Sequence, residues 1–232
     1  MFDAIGFDAD DTLWHNERLY SVTQEKFRNI MKEHESGLID QTLLETEKKN
    51  LKVFGYGIKG FVLSMIETSI QLTNGDISGK EIEQIMDFGK EMLQEPIQLL
   101  EGVEKTLLQL KNHYPLYLIT KGDLIDQETK IALSGLNQLF DVIEIVSEKD
   151  EGTYQKILDK NQIKPSRFVM VGNSLRSDIL PVLEIGGTPV YVPYQIDWAH
   201  EKASKPLESN CFHELDNIGQ LPTWLKNLNA NP

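Results

Sequence analysis

The stretch GFDADDTLW, Gly6 to Trp14, closes an apolar run, Ala4 to Phe7, with three carboxylates, Asp8, Asp10 and Asp11. Clustered carboxylates beside buried chain are costly unless something positive holds them. The run is too short for a helix and reads as a buried strand that delivers polar groups from its carboxyl end. The rest of the chain decides where that strand belongs.

From about Glu17 to Glu95 the pattern turns helical. ERLYSVTQEKFRNIMKE, DQTLLETEKKNLKVF, GFVLSMIETSIQL and SGKEIEQIMDFGKEML carry apolar residues at three- and four-residue spacing, with Gly, Asn or Ser breaks between them. About four helices are expected. After Pro96 the reading is helix Gly102 to Lys111, strand Leu116 to Thr120, a further helix, and strand Val142 to Val146. It continues with helix Thr153 to Lys160, strand Phe168 to Gly172, helix Ser177 to Ile185 and strand Pro189 to Val192. Short apolar strands alternating with amphipathic helices define an α/β fold with a doubly wound parallel sheet. The lone strand at Ala4 needs partners and most economically joins that sheet. Residues 1–15 and 97–232 then form an α/β core, and residues 16–96 form an inserted helical unit.

The 232 residues are 40% apolar, enough for a core, and carry a formal charge of −13. Such acidity argues against nucleic acid as a partner, because binding phosphate backbones needs clustered Lys and Arg; small anions can still bind locally. Cys211 is the sole cysteine, so neither an internal disulfide nor a thiolate zinc cluster can form. No basic leader and no long uncharged apolar run occurs, so the expectation is a cytoplasmic protein with no membrane partner, as monomer or homodimer. The final NLNANP reads as a frayed tail.

In open α/β sheets ligands bind at the carboxyl ends of the strands. There the sequence offers Asp8-Ala9-Asp10-Asp11-Thr12, Thr120-Lys121-Gly122-Asp123, Ser147-Glu148-Lys149 and Gly172-Asn173-Ser174, with Asp178 on the helix beyond. Any one of these has a plain structural explanation as a cap, a turn or a solvated charge. Four coincident strand ends call for a common one.

In order and spacing these residues resemble the haloacid dehalogenase (HAD) superfamily, over Ile5 to about Val192. D-x-D-x-T stands as Asp8-Ala9-Asp10-Asp11-Thr12, the strand-end Ser or Thr as Thr120, and the helix-opening lysine as Lys149. The acidic pair of G-D-x-x-x-x-D becomes GNSLRSD, with Asn173 in the first place and Asp178 in the second. The resemblance implies a Rossmann-like core with a type 1 (C1) helical cap. It implies a phosphatase that uses Mg2+ on a small phosphorylated metabolite, through an aspartyl-phosphate intermediate. Asp8 would attack phosphorus and ligate the metal with the Asp10 main-chain carbonyl, Asp178 and Asn173. The Asp10 side chain would be the acid and base, which needs a pKa raised above that of Asp8, while Lys149 and Thr120 would stabilise the phosphoryl oxygens. Thr12, Lys121 and Gly122 would support or bind the phosphate. An amide at Asn173 brings oxygen without charge, so weaker metal binding is expected.

Other readings stand beside this one: a phosphomutase, a 2-haloacid dehalogenase, or a non-catalytic binding protein on the same fold. Asp10 argues against the dehalogenase, since a departing halide needs no proton. The run Gly55 to Gly60 fits G-x-G-x-x-G, but no buried strand precedes it, so it reads as a loop between helices. The resemblance, in which the equivalent cap loop often selects substrates, implies Tyr56 and Lys59 as substrate-selecting residues. His15, His34, His113, His200 and His213 show no metal-ligand spacing. Trp14 and His15 follow the first motif closely enough to line an entrance or to pack, and Trp198 reads as packing.

Overall fold

The computed structural model describes residues 2–196, 203–205 and 212–230. The chain divides into two compact units: residues 1–17, 97–121 and 127–232, and residues 18–96 with 122–126. The sequence expectation sets the divisions at 15/16 and 96/97 with 122–126 in the α/β core; in the structure 122–126, a two-residue turn and the first turn of the helix that starts at Leu124, belong to the helical unit.

In the first unit, strands β1 (Ala4–Phe7), β2 (Leu116–Lys121), β3 (Val142–Val146), β4 (Phe168–Gly172), β5 (Thr188–Tyr191) and β6 (His213–Glu214) form one sheet in the order β3-β2-β1-β4-β5-β6. Every pairing is parallel. β1 lies between β2 and β4, where the strand order reverses, which is where a doubly wound sheet opens its crevice. The period-2 alternation of strand side chains splits β1 between two cores. Ile5 and Phe7 pack with Leu116, Leu118, Val169 and Val171 under helices α5 (Val103–Lys111) and α9 (Leu221–Ala230). Ala4 packs on the other face with Tyr117, Ile119, Phe168 and Met170, beneath Tyr154, Ile157 and Leu158 of α7 (Glu151–Lys160). Gly6 is required there, because a Cβ would stand 2.6 Å from Phe168 Cζ.

The helical unit holds α1 (Glu17–Ile30), α2 (Ser36–Phe54), α3 (Ile58–Leu72) and α4 (Gly79–Gln94). Phe27, Ile39, Leu43, Phe61, Met65, Ile85 and Met92 form its own core. The glycine-rich run spans the α2–α3 loop, Gly55 to Gly57, and the first turn of α3: Gly55 and Gly57 have φ of 74° and 113°, conformations that side chains disfavour. Ser78 and Glu81 make a reciprocal capping box at the start of α4.

Three details differ from the sequence reading. The helix expected over Ser177 to Ile185 is a π-turn, Leu175–Ile179, running into a short α8, Leu180–Glu184. The two-residue β6 was not anticipated. The expected frayed tail is instead largely α9, which reaches Ala230 because Leu221 and Leu225, one turn apart, are both buried. Trp198, His200 and Cys211 lie outside the described residues.

Candidate active site

Asp8 continues β1 by donating its N–H to Val171 O at 2.9 Å, which fixes its side chain at the carboxyl edge of the sheet. Its carboxylate is buried and engaged at both ends. Thr12 Oγ1 donates to Oδ2 at 2.9 Å, and Lys149 Nζ donates to Oδ1. Lys149 also donates to Asp178 Oδ1 at 2.8 Å, while Ser174 N donates to Asp178 Oδ2 at 3.0 Å. Asp8, Thr12, Lys149 and Asp178, spread over 170 positions of the chain, therefore form one connected group.

Charge and burial work against each other here. Burial pushes the Asp8 carboxyl above its usual range and the Asp178 charge adds to that, while Lys149 pulls it down. Burial alone would disfavour the Lys149 ammonium, but Asp178 and Asp8 outweigh it and raise its pKa. Lys149 is thus a fixed cation.

Asn173 sits on the opposite side of Asp8. Its inward terminal amide atom lies 3.2 Å from Asp8 Oδ2, 3.2 Å from the Asp10 carbonyl oxygen and 3.1 Å from Thr12 Oγ1. With nitrogen inward the amide donates to all three. With oxygen inward it joins Asp8 and Asp10 as a third converging oxygen. Neighbouring oxygens of an octahedral magnesium with ~2.1 Å bonds are about 3.0 Å apart, so this donor set suits that ion. Among the described residues there is no cluster of three or more His, Cys, Asp or Glu able to hold a metal, so main-chain and amide oxygens would have to complete the shell. Asp178 faces Lys149 and Ser174 N.

Asp10 points into a different set of partners. Trp14 Nε1 donates to its Oδ1 at 2.7 Å, Gln127 Nε2 to its Oδ2 at 2.8 Å, and Lys130 Nζ is 2.8 Å from each oxygen. Gln127 and Lys130 lie on α6 (Leu124–Ser134), and the Gln127 Oε1 accepts from Thr120 Oγ1 at 3.2 Å. Sequence reading passed over these two residues. The available signal was two polar positions three apart, Gln127 and Lys130, on a helix otherwise packing through Ile131. Trp14 is fully buried and binds Asp10, so it belongs to the site's framework and does not line an entrance.

Asp11 caps α1: its carboxylate accepts the Asn16 N–H at 2.8 Å and the Glu17 N–H at 3.0 Å, from a backbone with φ of 61°. Thr120 is the penultimate residue of β2, beside β1 and two residues after Leu118, the partner of Phe7. Lys121 turns to Ser177 Oγ at 2.8 Å and to Glu148 at 3.3 Å. Gly122, with φ of 151°, and Lys59 belong to the helical unit, where Lys59 pairs with Asp123 at 2.7 Å. His15 Nδ1 meets Tyr194 Oη at 2.7 Å, and His213 packs on Trp224.

The chain matches the model of haloacid dehalogenase-like hydrolases over residues 2–186, and it belongs to that family. A curated relative, the glyceraldehyde 3-phosphate phosphatase of Methanothermobacter thermautotrophicus, is 27% identical over 95% of this chain and 98% of its own. The protein of the same name from Pyrococcus furiosus is 33% identical over 40% of this chain and 41% of its own. Among solved structures, a haloacid dehalogenase-like family hydrolase from Xanthomonas campestris superposes with a TM-score of 0.89. It is 41% identical and covers 99% of this chain and 92% of its own. A HAD hydrolase of Bacillus subtilis solved with magnesium bound shares the fold, with a TM-score of 0.68 at 15% identity over 97% and 98% of the two chains. No helix among the described residues is long and apolar enough to cross a membrane.

Proposed function

We propose that the protein is a magnesium-dependent phosphatase acting on a small phosphorylated metabolite through a phosphoaspartate on Asp8. The observation that carries this reading is the setting of Asp8: a buried carboxylate at a strand end, between the Lys149 ammonium and the Thr12 hydroxyl, with a second carboxylate, Asp10, two residues on. An Asp8 oxygen bonds to phosphorus as the ester oxygen leaves, and Asp10 gives that oxygen its proton. Asp10, now ionised, takes a proton from the water that attacks phosphorus and releases Asp8. Lys149 and the Thr120 hydroxyl stabilise the charge that develops on the phosphoryl oxygens. Magnesium, held by Asp8, the Asp10 carbonyl, Asn173 and Asp178, would supply the neutralisation that lets a phosphate dianion approach a carboxylate.

An alkoxide leaving group needs the proton that Asp10 can give, whereas a halide does not, and this favours ester hydrolysis over dehalogenation. The curated relatives named as glyceraldehyde 3-phosphate phosphatases support a phosphate ester of short carbon chain. Thr12, Lys121 and Gly122 are proposed to support or bind the phosphate, and Lys59 to influence substrate choice, which changes in KM across substrates would reveal in Lys59→Met.

The test is phosphate release from 4-nitrophenyl phosphate and a panel of phosphorylated metabolites that includes glyceraldehyde 3-phosphate, with and without magnesium, for the native protein and Asp8→Asn. Magnesium-dependent turnover that disappears in Asp8→Asn is the expected result. Turnover that survives in Asp8→Asn would overturn the mechanism, and no turnover on any phosphate ester would overturn the phosphatase reading.

A further inference from the structure

Asp10 is more tightly restrained than an acid and base needs for folding alone. Its Oδ1 accepts from Trp14 Nε1 and Lys130 Nζ, and its Oδ2 from Gln127 Nε2 and the same Lys130 Nζ. A carboxylate offers about four lone-pair directions, and these contacts take all of them. The donors are themselves held: Trp14 is fully buried, Gln127 is 2% exposed, and Lys130 also reaches Asn16 Oδ1 at 3.3 Å. On the far side of Gln127, Oε1 accepts from Thr120. A continuous chain runs from Thr120 through Gln127 to Asp10 and Lys130.

We propose that Gln127 and Lys130 are positioning residues for the leaving-group step, holding the Asp10 carboxylate in the one orientation from which it can pass a proton to the departing oxygen. This rests on the phosphatase reading of Asp8 and Asp10. Neither residue exchanges a proton: the bond that breaks joins phosphorus to the ester oxygen, the proton on that oxygen comes from Asp10, and the water proton returns to Asp10. Lys130 keeps its three hydrogens throughout. When Asp10 carries the proton, Lys130 releases the protonated oxygen and stays on the other, so one of the four accepting positions becomes the O–H bond that is later passed on. Gln127 is aimed by two partners at once, so its amide cannot turn without losing either Thr120 or Asp10.

The consequence is a dependence on leaving group. 4-Nitrophenolate departs without much protonation, whereas phenolate and alkoxides depend on the acid. In Lys130→Met and Gln127→Leu, kcat/KM for phenyl phosphate should fall on the order of tenfold to a hundredfold further than kcat/KM for 4-nitrophenyl phosphate, because kcat/KM reports the departure of the ester oxygen while hydrolysis of the phosphoaspartate is common to both substrates. Lys130→Arg should recover part of the loss. Equal losses of kcat/KM on both substrates, or none, would overturn the proposal.

A second readout does not need turnover. The chain has three tryptophans, and Trp14→Phe identifies the indole N–H resonance of Trp14 in a nitrogen-15 spectrum. That resonance should move in Lys130→Met and in Gln127→Leu while the other two stay, because Trp14 reports the Asp10 carboxylate directly. An unmoved Trp14 signal sinks the positioning role. A moved signal in a protein that hydrolyses no phosphate ester would leave the positioning role standing and remove the phosphatase reading instead.

Discussion

Lys149 Nζ lies 2.8 Å from Asp178 Oδ1, with both side chains closed to solvent, 2% and 1% exposed. The same ammonium holds Asp8 Oδ1, so one cation serves two buried carboxylates. Removing it would leave those carboxylates facing each other in a poorly polarisable interior. Deleting one partner of a buried ion pair costs about 3–5 kcal/mol, and Lys149→Met should lose stability of that order at neutral pH. The Lys149 pKa is raised on folding, so its contribution is present throughout the range below its ordinary value and is lost only in strong alkali. Urea unfolding of the two proteins checks this; a change below about 1 kcal/mol would mean that the carboxylates find another way to shed charge.

Part of this arrangement could be read from sequence, because Asp8, Thr120 and Gly172 each end a run of apolar residues and Lys149 opens a helix. Order along the chain was enough to place those strand ends on one edge of a parallel sheet. Gln127 and Lys130 escaped because they meet Asp10 across 117 and 120 residues, and nothing in a helix pattern says which distant carboxylate its polar face will find. Trp14 packs in the core, one of the two roles its sequence position allows; that the same indole also donates to Asp10 is not legible for a similar reason. The two-residue β6 carries too short a pattern to detect, and the polar letters of NLNANP give no sign that their first four residues continue a helix anchored upstream by the buried Leu221 and Leu225.

Asn173 sets the expected strength of the metal site. Its amide can face Asp8 Oδ2 and the Asp10 carbonyl with either nitrogen or oxygen, and the nitrogen form competes with a cation for the same two oxygens. Asn173→Asp removes that competitor and adds a charge. Magnesium should then bind at least about tenfold tighter, seen by calorimetry and as a larger rise in melting temperature on adding the ion. The metal-free variant should be less stable than the native protein, since a third carboxylate then lies against Asp8 Oδ2 and the Asp10 carbonyl with no cation of its own. Equal magnesium affinity in the two proteins would show that position 173 does not face the ion.

Gly172 ends β4 directly beneath Asp178. A Cβ placed on it would overlap Asp178 Cβ, Cγ and Oδ2, and Asp178 has no exposed surface into which to retreat. Gly172→Ala should therefore push Asp178 off Lys149, lowering phosphatase turnover by about a hundredfold and stability by about 2 kcal/mol. Native-like turnover in Gly172→Ala would mean that the Lys149–Asp178 contact is dispensable. Gly135, with a φ of 72° and no heavy atom within 4 Å of where a Cβ would stand, is the control: a substitution there strains the backbone without touching the site.

Asp11 supplies a pH dependence of stability separate from the reaction. Burial pushes its carboxyl up to about 7, against the opposing pull of the Asn16 and Glu17 N–H groups. A carboxyl raised on folding binds its proton more tightly in the native chain than in the unfolded one. Its contribution to stability is therefore complete below the ordinary value of 3.8, declines as pH rises, and is gone above the folded value of about 7. Asn at this position keeps the helix cap and tolerates the positive φ, but carries no titrating proton. Between about pH 5 and about pH 8 the native protein should lose about 3 kcal/mol more unfolding free energy than Asp11→Asn, from about 1.36 kcal/mol for each of the two pH units below the folded value of about 7. Denaturant melts at the two pH values measure the difference. Parallel losses in both proteins would show that the Asn16 and Glu17 N–H bonds keep Asp11 ionised in spite of its burial.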